Sequence, residues 1–230
     1  MDGISVNAEK TFLVARTRVE KRILCGQKRI FGKNIEPTPV NVRSGYSLYC
    51  RWTDGKGERL EKIAGGEILS GTVSSATFSK YFSKNAEGWC DLYWIAGDGG
   101  HRISVPWGCR VKGDGYNGVL TVELTDAEKF LNSFLSCPWE RETLKGCEIE
   151  YLSEYFIDGD GRQKGISIEL RNLIKPAAED VINENSSKDV AFLTAKTEEK
   201  IKEIPFSDYG LEFKSVTLQI QEKTENAEDA

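Results

Sequence analysis

A chain of 230 residues and 25.7 kDa holds one large domain or two small ones, at roughly 150 residues per domain. Its 39% hydrophobic and 29% charged residues are those of an ordinary soluble globular protein, and a net charge of −5 excludes any global attraction to nucleic acid or anionic lipid. The single histidine excludes a His-rich metal cluster, so composition points away from an enzyme.

The six cysteines are Cys25, Cys50, Cys90, Cys109, Cys137 and Cys147, and none lies in a C-x-x-C pair. The first residues, MDGISVNAEK, lack a basic region followed by an apolar run, and no stretch approaches the roughly 18 apolar residues of a membrane helix. Reduced, buried thiols in a cytoplasmic protein are therefore expected, with any membrane contact peripheral and at the inner face.

In chain order, Leu13, Ala15, Thr17 and Val19 alternate with Arg16 and Arg18, and the same parity continues through Glu20 to Arg22, predicting a half-buried strand with a basic outer face. Gly45–Trp52 repeats the alternation with Tyr46, Leu48, Cys50 and Trp52 on one side, and Asp54-Gly55 and Gly57 supply a turn. A short helix is expected at Thr77–Phe82. Cys90–Ala96 and Arg102–Trp107 read as a hairpin joined by Gly97-Asp98-Gly99-Gly100, and Val119–Leu124 is a strand with Leu120, Val122 and Leu124 inward.

At Thr125 the period changes to that of a helix. Thr125-Asp126-Ala127-Glu128 is a capping box, followed by the apolar stripe Phe130, Leu131, Phe134 and Leu135. Pro138 marks the start of a second helix carrying Leu144, Cys147, Tyr151, Leu152 and Tyr155, which ends at Asp158-Gly159-Asp160-Gly161. A third helix carries Ile166, Leu170, Leu173, Ile174, Ala177, Val181 and Ile182, with a kink expected at Pro176. Asn185-Ser186-Ser187 caps a fourth with Val190, Leu193, Thr197, Ile201 and Ile204, which Pro205 ends. From Gly210 to Gln221 a closing strand turns Val216, Leu218 and Ile220 inward.

Strands, then helices, then one returning strand predict an α+β fold with a mostly antiparallel first half. Residues 1–100 form a β-rich part, 101–222 an α+β part and 223–230 a disordered acidic tail. Phe130, Leu131, Phe134, Leu144, Leu173 and Leu218 are expected to share a core where the helices cover the sheet.

Several motifs invite a chemical reading. Gly113-Asp114-Gly115-Tyr116-Asn117-Gly118 spells G-x-G-x-x-G, but the strand that follows offers no helix N-terminus for a pyrophosphate, so it reads as a turn. Asp158, Asp160 and Glu169 take EF-hand positions one, three and twelve, but Arg162 and Gln163 occupy positions five and six. His101, beside Asp98 and Arg102, has no G-x-S-x-G elbow to serve. Neither a metal site on Asp98, His101, Asp158 and Asp160, nor a catalytic residue, nor a cofactor is expected. Arg16, Arg18 and Arg22 form a candidate contact with a partner or with anionic headgroups. Trp52, Trp89, Trp94 and Trp107, with Tyr46, Tyr49 and Tyr93, fit a stacking surface or a core equally well.

One longer pattern is distinctive through its order and spacing. It runs Trp107-Gly108, Gly115-Tyr116, the strand Val119–Leu124, Asp126, Phe130-Leu131, amphipathic helices, and Tyr209-Gly210-Leu211 before the closing strand; Gly45-Tyr46-Ser47-Leu48 lies upstream. Over residues 100–222 this resembles the SPFH or band 7 domain of stomatins, prohibitins and flotillins, closest to the soluble virion core protein-like branch. The resemblance implies a non-catalytic scaffold that forms homo-oligomers and organises client proteins near membranes; the net charge of −5 leads us to expect no nucleic-acid partner. Trp107, Gly108, Gly115, Tyr116, Asp126, Phe130, Tyr209 and Gly210 are the positions that match the family's motifs. Residues 25–100 exceed a minimal domain of that kind. The second reading is a ligand-binding or phage- or shell-type structural module that uses the aromatic first half.

Overall fold

The computed structural model describes residues 3–30, 33–65, 71–82, 87–97, 101–135, 148–152, 156–157, 163–164, 166–185 and 189–221. The chain is α+β, and its sheets are antiparallel. It divides into two compact units, Met1–His101 with Cys137–Ser153, and Arg102–Ser136 with Glu154–Ala230. No helix among the described residues is long and apolar enough to cross a membrane.

The elements run β1 (Val14–Glu20), α1 (Lys21–Cys25), β2 (Gln27–Ile30), β3 (Lys33–Ile35), β4 (Val40–Val42), β5 (Tyr46–Asp54) and β6 (Gly57–Ala64). β7 (Gly71–Val73), α2 (Ser75–Phe78), β8 (Trp89–Ala96), β9 (Arg102–Val111), β10 (Asp114–Leu124) and α3 (Ala127–Phe134) follow. The remainder is β11 (Glu150–Leu152), β12 (Phe156–Ile157), β13 (Gln163–Lys164), α4 (Ile166–Glu184), α5 (Val190–Ile201), a 3-10 turn at Phe206–Tyr209, β14 (Leu211–Val216) and β15 (Gln219–Gln221).

In the first unit a five-stranded sheet has the order β11-β1-β8-β5-β6. β1 keeps the expected parity, with Ala15, Thr17 and Val19 buried and Arg16 and Arg18 half-buried. β8 is central, with β1 and β5 on its two edges, and it is buried on both faces from Cys90 to Ala96. One face of the sheet packs on a core that includes Phe12, Leu24, Leu48, Phe78 and Trp94. In the second unit β9 covers one edge of β10, while β14 and β15 share the other. α4 packs on β9 and α5 on α4. Leu170, Ile174, Ala178, Val181 and Ile182 give α4 its buried stripe at helical spacing.

Several sequence expectations change, among them the short helix expected at Thr77–Phe82, which is α2 at Ser75–Phe78. The hairpin across Gly97–Gly100 does not form: β8 has no free edge, so Arg102–Val111 pairs with β10 in the second unit, through a tight turn at Lys112 (φ 50°) and Gly113 (φ 89°). Tyr151 and Leu152, expected on a helix, belong to β11, where Leu152 pairs with Val14, so the chain returns to the first unit after entering the second. α5 is capped by Asp189, whose carboxylate accepts from Ala191 N and Phe192 N at 2.9 and 3.3 Å, rather than by Asn185-Ser186-Ser187. The closing strand is split in two at Thr217-Leu218, where Val119 N donates to the Thr217 side-chain hydroxyl, and a separate register shift lies within β14 opposite Thr121 and Val122. Helix α4 runs through Pro176, which lies on the exposed side and so removes no buried hydrogen bond. Leu144, Cys137, Cys147, Asp158, Asp160 and the tail 223–230 lie outside the described residues.

Candidate interaction face and motif corner

The second face of the first sheet carries most of the unit's buried polar groups. Register sets Tyr93 opposite both Arg16 and Tyr49, and Asp91 opposite both Arg18 and Arg51. Arg18 grips Asp91 with two bonds, Nε to Oδ1 at 2.7 Å and Nη2 to Oδ2 at 3.1 Å. That fork holds the guanidinium pKa above its ordinary value. Arg16 Nε donates to Glu150 Oε2 at 2.9 Å. Arg51 lies 3.0 Å from Glu58 Oε1 and places its guanidinium over the Tyr93 ring at 5.4 Å. Burial pushes the Tyr93 phenol up, so it stays neutral.

Of the three candidate arginines, Arg16 and Arg18 share this face. Arg22 does not: the strand ends at Glu20, and Arg22 sits on α1, paired with Glu20. Each of the three faces a carboxylate. Asp91, Arg51, Glu58 and Glu150 complete the network, and sequence reasoning missed them because only the strand register brings them to the arginines. Alternation in Cys90–Ala96 gave a weak signal, since it placed Asp91 in an otherwise apolar strand.

The aromatic set is mostly core. Tyr49, Trp52, Tyr93, Trp94 and Trp107 are buried, Tyr46 is half-buried and Trp89 is 51% exposed. Trp94 Nε1 donates to Asn41 O at 2.8 Å, which satisfies its one donor, and Trp52 meets Phe82 edge-on at 5.1 Å.

In the second unit the motif positions fall into two groups. Asp126, Phe130, Tyr209 and Gly210 meet at one corner. Asp126 caps α3, accepting from Lys129 N at 3.0 Å, as the capping-box reading requires. Gly210 adopts a left-handed turn (φ 73°), and its carbonyl accepts from Thr125 N and Asp126 N at 2.9 and 3.1 Å. A Cβ there would lie 2.1 Å from Asp126 O, so only glycine fits. Phe130 is fully buried, and Phe134 stacks between it and Tyr209 at 5.0 and 5.9 Å. The other group, Trp107, Gly108, Gly115 and Tyr116, lies along the β9–β10 ladder, with Trp107 and Tyr116 buried. Next to it, Gly118 lets Thr217 O approach a point only 1.8 Å from where a Cβ would stand. Phe130, Leu131 and Leu218 are buried as expected, whereas Phe134 and Leu173 are half-buried.

No family model matches the chain, and neither does any curated protein or solved structure.

Burial holds three of the described thiols in the protonated form. Burial raises the thiols of Cys25 and Cys50 above their ordinary value and pushes Cys109 to about 11, the opposite of an activated nucleophile. Burial lowers the pKa of His101, which stays neutral near pH 7. Among the described residues, no three His, Cys, Asp or Glu side chains converge as metal ligands; Asp98 lies outside those residues.

Proposed function

We propose that this protein is a non-catalytic, cytoplasmic scaffold of the SPFH or band 7 kind, which self-associates and presents its surface to protein partners. The observation that carries the reading is β6, an eight-residue strand at the end of the five-stranded sheet. Among the described residues its only strand pairing is with β5, and most of its side chains are exposed on both faces. A strand edge of this length is a template for pairing with another chain. Two further features support the reading. Asp126, Phe130, Tyr209 and Gly210 cap and pack one corner of the second unit, and the described thiols of Cys25, Cys50, Cys90 and Cys109 are unpaired, as suits a reducing compartment. Because Arg16, Arg18 and Arg22 already face carboxylates, protein partners are favoured over anionic lipid.

Light scattering on the intact chain across a concentration series tests the scaffold reading. The expected result is a mass that rises above 25.7 kDa with concentration. A mass that stays at one chain throughout would overturn it.

A further inference from the structure

Among the described residues, β9 and β6 are long strands at sheet edges, and they differ. β9 is guarded: Pro106 interrupts it and has no N–H to offer, and Arg171 Nε already donates to the Pro106 carbonyl at 2.8 Å. β6 contains no proline and reads Gly57-Glu58-Arg59-Leu60-Glu61-Lys62-Ile63-Ala64.

We propose that β6 is a homodimer interface, on which a second copy of this chain adds its own β6 antiparallel across a two-fold axis at Leu60. This inference rests on the self-association proposed above and names its surface. Charge complementarity of the strand with itself carries it. A two-fold axis perpendicular to a sheet keeps each side chain on its face, so only residues of the same parity stand opposite one another. The allowed registers therefore centre on a residue. Centred on Leu60, Glu58 faces Lys62 of the second copy and Arg59 faces Glu61, and the same two pairs recur on the other side of the axis. Leu60 meets Leu60. Moving the centre by one residue sets Arg59 against Arg59 or Glu61 against Glu61, and moving it by two sets Glu58 or Lys62 against itself. Like charges directly opposite are destabilising, so the charges that usually guard an edge here reject the shifted registers and favour one.

Glu58, Arg59, Glu61 and Lys62 are all exposed on the strand. Glu58 reaches Arg51 at 3.0 Å yet its side chain remains 51% exposed, and Arg59 reaches Asp54 at 3.4 Å with 45% exposed. Lys62 lies 5.8 Å from the centre of the Tyr49 ring on β5, with its residue still exposed. Pairing would continue the five-stranded sheet into its copy and satisfy the outward backbone groups of both edges.

Sedimentation velocity on the intact chain and charge-reversed variants tests the interface. Lys62→Glu places two carboxylates opposite each other at two symmetric positions, as Glu58→Lys does with two ammonium groups. Each is expected to raise the dimer dissociation constant about tenfold. The double variant Glu58→Lys with Lys62→Glu restores opposite charges, and with them dimerisation. On the other face, Arg59→Glu should weaken the dimer and Arg59→Glu with Glu61→Arg should recover it. If the single variants leave association unchanged, or the double variants fail to recover it, this interface is wrong while self-association stands. If the unaltered chain is monomeric throughout, both readings fall. Oxidation of Leu60→Cys provides a check that needs no charge change: a disulfide-linked dimer is expected that the parent chain does not give. An associating Leu60→Cys chain that does not cross-link would also overturn the register.

Discussion

At the scale of the residue, the corner between α3 and the turn before β14 shows how few atoms fix a junction. Asp126 contributes three groups to it. Its side chain caps α3, its amide donates to the Gly210 carbonyl, and its own carbonyl closes the helix by accepting from Phe130 N at 3.0 Å. Asp126→Ala removes only the side-chain bond and is expected to cost about 1 kcal/mol, whereas Asp126→Ser keeps an acceptor and should cost less. Gly210→Ala attacks the same corner through the backbone. It forces a Cβ into a left-handed turn and against Asp126 O, so the corner must open, and the loss should exceed that of Asp126→Ala. Denaturant midpoints of the three variants, measured with unchanged slopes, check this order. Equal losses for Gly210→Ala and Asp126→Ser would show that the corner is loose.

At the scale of the element, what the sequence revealed depended on whether the signal was local. β1 and β5 show their parity within seven to nine residues, and α3, α4 and α5 show an apolar stripe at helical spacing, so these were legible. The partners of a strand are not a local property. Gly97–Gly100 resembles a hairpin turn, but whether β8 has a free edge depends on β1 and β5, about 40 to 80 residues earlier. Tyr151 and Leu152 fit a helical period only in company with residues further along, and three residues of β11 are too few to display alternation. The carboxylates facing Arg16, Arg18 and Arg51 were hidden for the same reason. Within α3, burial separates two phenylalanines that the sequence treats alike. Phe130 is fully enclosed, so Phe130→Ala combines lost burial with a cavity and should cost about 3–5 kcal/mol. Phe134 is half-buried against Phe130 and Tyr209, and Phe134→Ala should cost distinctly less. Thermal unfolding of the two variants checks the difference, and equal losses would mean that the phase of α3 is misassigned.

At the scale of the whole molecule, charge decides what kind of surface the protein can meet. The net charge is −5, and the arginines that would form a basic face are each set against an acid, Arg16 against Glu150, Arg18 against Asp91 and Arg22 against Glu20. A basic side chain near an anionic leaflet contributes about 1 kcal/mol, but a guanidinium already neutralised by a carboxylate within hydrogen-bond reach contributes little of that. Beyond about 8 Å at physiological salt, the remaining field is screened, and the molecule as a whole repels the leaflet. The intact chain is therefore expected to leave anionic phosphatidylserine vesicles unbound at physiological salt in co-sedimentation. Glu20→Gln with Glu150→Gln keeps both side-chain shapes while removing the negative charges set against Arg22 and Arg16. That variant should gain measurable binding at low salt and lose it again as salt rises. Firm, salt-resistant binding by the unaltered chain would show that the molecule docks through a surface other than these arginines, and that the face pairing them with acids has no bearing on membranes.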